Sequence, residues 1–222
     1  PFIECNLKLL EESNVPFVRR HTGGGTVVHD LGNLNFCFIS SKNSFDRCSN
    51  LRIIVNALQS IGHKVDINDR CDLVVEQGNH TYKVSGSAFR VKGATAIHHG
   101  TLLLNSDLKR LKAFIGAKLK GISSKSVASV SSAVMNLEIK NIQTVQSAIE
   151  DVFCEATHQQ YEVIKLAPDI IKSKVQNFKS WDWLYARTPP FSQTVKFEEE
   201  GISGELNIKV RRGKIEEFTL LR

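Results

Sequence analysis

Two stretches of this 222-residue chain carry residue types whose spacing suits chemistry on an anion. The first, Arg19 to Asn33, reads RRHTGGGTVVHDLGN. Three consecutive glycines are costly in backbone entropy, and one reason for them is that a ligand must approach the main chain closely. Successive N–H groups in such a turn form a concave anion site, and Arg19 and Arg20 add fixed positive charge beside it. The loop fits neither GxxxxGK(S/T) nor GxGxxG, which disfavours a Walker loop and a Rossmann dinucleotide site. A plain glycine-rich connection between strands is the other reading of these residues.

The second stretch, Asp72 to Ala88, reads DLVVEQGNHTYKVSGSA. With Gln77 to His80 as a four-residue hairpin loop, Val74 opposes Lys83 and Asp72 opposes Ser85. Asp72, Val74 and Lys83 then share one face, with Asp72 diagonal to Lys83 and within side-chain reach. A lysine in an apolar strand pattern either pairs with a carboxylate at the surface or meets an anion. Gly86, just beyond, leaves room for a ligand or a second backbone. In AIHHGTLLLN, Ala96 to Asn105, the adjacent His98 and His99 point to opposite faces of a strand. That argues against a two-histidine metal site, and no metal-ligand set is assigned. A hydrogen-bonded histidine lining a pocket or the core is the reading for either one. Ser-His-Asp catalysis lacks a GxSxG elbow, and Cys-His catalysis lacks a local signature.

The elements that must position these residues follow from periodicity. Leu7 to Asn14 predicts a short amphipathic helix, Phe17 to Arg20 a strand entering the glycines, and Leu34 to Ile39 a strand. Leu51 to Ile61 has helical spacing and ends at Gly62. From Asp72 to Leu104 the pattern is strands, with Gly93 and Gly100 as bends. Asp107 to Ala113 starts a basic helix, and the Lys/Arg run Lys109, Arg110, Lys112, Lys118 and Lys120 reads as a solvated face or a surface for an acidic protein. Gly121 to Val134 is Ser-rich and reads as an irregular loop. Val145 to Gln160 and Asp169 to Tyr185 predict two helices, the second stopped by Pro189-Pro190. Three strands with a turn at Arg212-Gly213 complete the chain.

Composition sets the bounds. The chain has 29 Lys+Arg against 23 Asp+Glu, a net charge of +6, with 41% hydrophobic residues, and its pI is about 9.1. This is ordinary globular composition, which excludes disordered, collagenous and coiled-coil classes. The positive balance favours anionic partners without choosing among them. Aromatics interleaved with the basic run, which would stack bases, are missing, so nucleic acid is disfavoured. No apolar stretch approaches the ~20 residues that cross a bilayer. Cys5, Cys37, Cys48, Cys71 and Cys154 are an odd set without CxxC pairs, so neither a disulfide framework nor a zinc site is indicated and a reducing compartment fits. The chain opens at Pro1 without Met, and it is read as a fragment truncated at both ends.

Taken together and in order, these stretches resemble the lipoate–protein ligase and lipoyltransferase family over nearly the whole chain. The resemblance is carried by PFIECN, RRHTGGGTVVHDLGNLNF, the Asp72-Leu73-Val74-Val75 strand, KVSGSAFR, HHGTLLLNSDL and SWDWLYARTPPF. It implies an α+β fold: a mixed, largely antiparallel sheet with flanking helices, like class II tRNA synthetases and biotin protein ligases. It further implies a catalytic domain over residues 1–190 and the start of a small C-terminal domain over 191–222.

The implied chemistry is acyl transfer through lipoyl-AMP. Lipoate attacks the α-phosphate of ATP, pyrophosphate leaves with Mg²⁺, and a lysine of a lipoyl domain attacks the mixed anhydride. By the same resemblance Lys83 and Asp72 are catalytic, with Asp72 orienting Lys83. Arg20, Gly23, Gly24, Gly25, Thr26, Val27 and Val28 form an adenylate-binding loop that His29, Asp30 and Asn33 brace, and Gly86 and His99 line the pocket near Lys83. The implied partners are lipoyl domains of 2-oxoacid dehydrogenase complexes and the glycine cleavage H protein, met by a monomer. Neither nucleic acid nor membrane is implied.

Cys71 stands where the bacterial ligases carry Asn, and FDRCSNLRIIVNAL looks more like the mitochondrial lipoyltransferases. Both features tilt the expectation toward transfer from an activated donor, in the mitochondrial matrix of a eukaryotic cell, with the cytoplasm as the other location. The alternatives are a full ATP-dependent ligase, an octanoyl transferase of the same fold and a non-catalytic lipoyl-domain binding module.

Overall fold

The computed structural model describes residues 1–115, 121–124, 132–158, 160–165, 167–199 and 201–221. Lys118, Lys120 and residues 125–131 of the Ser-rich stretch lie outside the described residues, as does Gln159 within the predicted first of the two late helices. The chain forms two compact units. One comprises Thr22–Leu111 and Val130–Ile164, and the other Pro1–His21, Lys112–Ser129 and Lys165–Arg222.

The first of these units carries two antiparallel sheets. Strands β1 (Asn33–Ser41), β5 (Ser87–Lys92) and β6 (Thr95–Leu103) lie in the order β1-β6-β5. Strands β2 (Asp66–Ile67), β3 (Leu73–Gln77) and β4 (His80–Lys83) lie in sequence order. The hairpin register pairs Val74 with Lys83 and Gln77 with His80, so the connection is a tight turn at Gly78-Asn79 rather than a four-residue loop. Gly78 takes φ +60°, the left-handed region that glycine enters without a Cβ penalty. The two sheets meet at Val84, whose N–H donates to Leu73 O at 2.9 Å and whose carbonyl accepts from Leu103 N at 2.9 Å. The segment after Lys83 therefore crosses from one sheet to the other.

Helix α2 (Arg47–Ser60) is capped by Asp46 and covers this framework with Leu51, Ile54, Val55 and Leu58 buried. It packs beside α4 (Ile142–Thr157), and Leu73, Val84, Leu102, Leu104, Leu137 and Val145 complete the core. Each such fully buried aliphatic side chain is worth roughly 1.5–3 kcal/mol relative to exposure. Gly62 follows α2 at φ +91°, as its sequence position predicts. Gly100 is not a bend. It lies inside β6 opposite Phe36, and a Cβ there would sit 2.3 Å from the Phe36 ring.

The other unit holds α1 (Leu7–Glu12), β7 (Ile122–Ser124), α5 (Pro168–Lys179), α6 (Trp181–Leu184) and strands β8 (Phe191–Glu199), β9 (Ile202–Arg211) and β10 (Lys214–Leu221), while α3 (Leu108–Ile115) carries the chain into it. The sheet order is β10-β9-β8-β7, so part of the Ser-rich stretch is a strand rather than irregular loop. The single helix expected from Asp169 to Tyr185 is broken at Ser180, whose backbone is extended and whose hydroxyl accepts from Trp183 N to cap α6. No strand forms at Phe17 to Arg20: the Arg19 carbonyl accepts from the Trp183 indole at 2.7 Å instead of from a ladder. Among the described residues no helix is long and apolar enough to cross a membrane.

Candidate functional site

Lys83 closes β4, and its Nζ lies 2.7 Å from Asp72 Oδ1 with the two side chains 25% and 12% exposed. Both partners are fixed through their backbones. Lys83 N donates to Ala133 O at 2.8 Å and its carbonyl accepts from Met135 N at 3.2 Å, so a segment 50 residues downstream borders β4 at the lysine. Asp72 ends a turn organised by Asn68, whose Oδ1 accepts from Arg70 N and Asp72 N. A half-buried ion pair held from two sides leaves the ammonium one strong acceptor and room for further oxygen acceptors.

Beyond Lys83, Val84 and Ser85 are buried, and Gly86 reaches β6. Gly86 N donates to Thr101 Oγ1 at 3.1 Å, and Thr101 N donates to Gly86 O at 2.9 Å. A Cβ on Gly86 would stand 3.9 Å from Val27 Cγ1, so the stretch after the glycines lies against the segment that follows the lysine. His99 faces away from the core on β6, and its Nε2 is 2.6 Å from Thr22 Oγ1, immediately before the glycines. His98, on the opposite face, is fully buried, as the alternation of a strand requires. Thr22 and Thr101 were not among the residues singled out from sequence. The signal that would have found Thr101 is its two-residue step from His99 on one strand face.

The glycine loop is irregular backbone, and of its three glycines Gly24 alone has positive φ, at +93°. Downstream, Asp30 clamps the loop to the turn after β6. Its Oδ1 accepts from Gly32 N at 2.9 Å and its Oδ2 from Asp107 N at 2.7 Å. Burial opposes ionisation of Asp30, but the donors from Asp107, Ser106 and Gly32 outweigh it and hold the carboxyl below the usual range. Gly32 N–H serves this clamp where the chain passes Asn105: a Cβ would be 2.1 Å from Asn105 O. Asn33 Nδ2 donates to His29 Nδ1 at 2.9 Å and to Asn35 Oδ1 at 3.0 Å. His29, Asp30 and Asn33 are thus each tied to neighbouring groups by hydrogen bonds.

The two adjacent arginines differ from each other. Arg19 is committed to structure, donating from Nε to Leu184 O at 2.9 Å and from Nη2 to Thr188 Oγ1 at 3.0 Å. Burial pulls Arg20 below the ordinary arginine range, with the Glu4 charge opposing. Both belong to the unit that ends at His21, whereas Gly23 to Val28, Lys83, Asp72, Gly86 and His99 belong to the unit that begins at Thr22. Among the described residues no group of three or more His, Cys, Asp or Glu side chains is placed to hold a metal ion.

This chain is similar in fold to P. falciparum LipL1, solved in complex with lipoate, with a TM-score of 0.65 and 28% identity over 99% of this chain. It spans 66% of the length of that protein. A bipartite lipoate protein ligase from Thermoplasma acidophilum matches at a TM-score of 0.66 and 22% identity, covering 82% of this chain and 74% of that one. Lipoate–protein ligase A, solved with ATP bound, matches at 0.59 and 24%, covering 79% and 72%. These folds share the mixed α+β plan of antiparallel sheets and flanking helices described above. The family model for the lipoyl protein ligase A/B catalytic domain matches residues 1–157, which include the glycine loop, the Asp72–Lys83 pair and the β6 histidines, and the chain belongs to that family.

Proposed function

We propose that this protein transfers a lipoyl group, through lipoyl-AMP, to a lysine of lipoyl domains in 2-oxoacid dehydrogenase complexes or of the glycine cleavage H protein. The observation that carries the reading is the Lys83–Asp72 pair, 2.7 Å apart, at the start of the segment that meets Val27 and Thr101 at Gly86. In the first half-reaction a lipoate carboxylate oxygen attacks the α-phosphorus of ATP and pyrophosphate leaves, carrying its Mg²⁺. In the second, the acceptor lysine amine attacks the acyl carbonyl, AMP leaves, and an amide remains. Negative charge develops on the carbonyl and phosphate oxygens in both. Lys83 supplies a positioned ammonium to those oxygens, and Asp72 keeps it from swinging into solvent. Main-chain donors of Gly23 to Gly25, with Thr26 to Val28 beside them, suit the phosphate and adenosine. The attacking amine comes from the partner, so this chain needs no nucleophile of its own.

Cys71, at a position where bacterial ligases carry Asn, favours transfer from an activated donor over activation of free lipoate, and a eukaryotic setting would place the reaction in the mitochondrial matrix. Lys83→Met tests the central role, because it keeps the stem and deletes the charge. Lipoylation of an isolated lipoyl domain from synthetic lipoyl-AMP is expected to fall at least a hundredfold, in line with loss of one transition-state donor. Retained transfer by a folded variant refutes the assignment. Exchange of pyrophosphate into ATP with free lipoate separates the two half-reactions: clear exchange would show a full ligase.

A further inference from the structure

Cys48 and Cys71 lie 23 residues apart in sequence, yet their sulfurs are 3.3 Å apart. Cys48 is exposed in the first turn of α2, and Cys71 is partly exposed directly before Asp72. We propose that Cys48 and Cys71 are a reversible disulfide site whose closure pulls the Asp72 carboxylate away from Lys83. The site goes beyond the lipoyl-transfer reading and does not depend on it.

The geometry assigns the movement to one side. A disulfide brings the sulfurs to about 2 Å, so they must close by roughly 1 Å. Helix α2 is pinned by buried Leu51, Ile54, Val55 and Leu58. The Asn68–Asp72 turn is held by the carbonyl and side chain of Asn68. Cys71 also sits at φ +56°, a left-handed conformation unfavourable to a residue with a Cβ. The turn therefore yields before the helix does. Asp72, covalently next to Cys71, moves with it, and an ångström of displacement away from Lys83 would stretch the 2.7 Å contact to roughly 3.7 Å, beyond hydrogen-bond distance.

A low-molecular-weight disulfide such as glutathione disulfide is the co-reactant. The more exposed Cys48 attacks it, forming a mixed disulfide and releasing one glutathione thiolate. Cys71 then attacks the Cys48 sulfur and displaces the second glutathione. The two protein thiols lose two electrons and two protons, and glutathione disulfide is reduced to two thiols. The hydrogen bond to Cys48, then burial, raises the Cys71 thiol above its ordinary value, which suits it to the resolving rather than the attacking role.

The whole chain treated with glutathione disulfide and digested should yield a Cys48–Cys71 cross-linked peptide, lost with dithiothreitol. Cys71→Ser should instead trap glutathione on Cys48. An amine-acylating ester should then label Lys83 severalfold faster in the oxidised protein than in the reduced one, with no redox difference in Cys48→Ser. Absence of the cross-link under conditions that trap glutathione on Cys48 overturns the site. A cross-link with unchanged Lys83 labelling overturns its coupling to the lysine. Neither readout involves lipoyl transfer, so failure here is distinguishable from failure of the proposed function.

Discussion

Gly23 and Gly24 are neighbours in one loop with different demands on their side chains. Among the described residues, none other than its chain neighbours comes within 4 Å of where a Cβ on Gly23 would stand, whereas Gly24 sits at φ +93°. Left-handed backbone costs a residue with a Cβ roughly 1–2 kcal/mol, and a β-branched one more. Gly24→Val is therefore expected to force the loop out of its conformation, lowering Tm and weakening a lipoyl-adenylate analogue about tenfold or more in calorimetry. Gly23→Ala should leave Tm unchanged. Equal losses of Tm in the two variants would mean that backbone conformation is not what singles out Gly24. The triple glycine reads in sequence as three equivalent positions, because composition carries no dihedral angle. Arg19 shows the same limit: its partners Leu184 and Thr188 lie 165 and 169 residues away, so a pair of adjacent arginines looks like a pair of equivalent charges.

At the scale of elements, the packing of β6 against α2 carries a titration. His98 is fully buried from β6 between Phe38 and Phe45, with Asn50 of α2 at 3.3 Å from Nδ1 and, among the described residues, no partner for Nε2. Burial, then the charges of Arg47 and His99, lower its pKa from 6.5 to about 4. The folded state thus binds this proton less readily than the unfolded chain. Above about pH 6.5 both states hold a neutral ring and nothing is lost; as pH falls from there toward 4 the unfolded state gains the proton alone, and roughly 3 kcal/mol of stability disappears. His98→Leu should flatten this part of the pH profile in urea melts between pH 7 and 4, after subtraction of the background from carboxylates. An unchanged slope would mean that other groups drive the acid loss. The β3–β4 register was legible in advance because strand alternation and one turn leave few choices, and it placed Asp72 beside Lys83. The break of α5 from α6 was not, since helical apolar spacing continues through Ser180 while the hydroxyl that stops it makes only local bonds. Pairing of Lys83 with Ala133 and Met135 was equally hidden, being a contact between distant segments.

Across the whole molecule, apolar burial is uneven. Of the buried apolar residues among those described, all but Cys5, Phe114 and Phe191 belong to the unit that carries Lys83. The other unit relies on the β8–β10 ladders, whose strands leave Ile202, Ile215 and Phe218 more than 60% exposed. A ladder hydrogen bond contributes about 1 kcal/mol net, because the unfolded chain bonds to water instead. A fully buried leucine contributes more than that from its side chain alone. The two units should therefore open with different free energies, even though both are rich in strand. Native-state hydrogen exchange in low denaturant is expected to show β3, β6 and α2 amides exchanging only through the largest opening. Amides of β8, β9 and β10 should exchange through smaller openings with shallower denaturant dependence. Equal protection and equal slopes in β6 and β9 would mean that the units unfold as one, and that the ladders of β9 carry what the apolar core carries for β6. The Asp72–Lys83 pair is built into the unit with the larger apolar core, so its 2.7 Å contact is expected to persist through the smaller openings of the other unit.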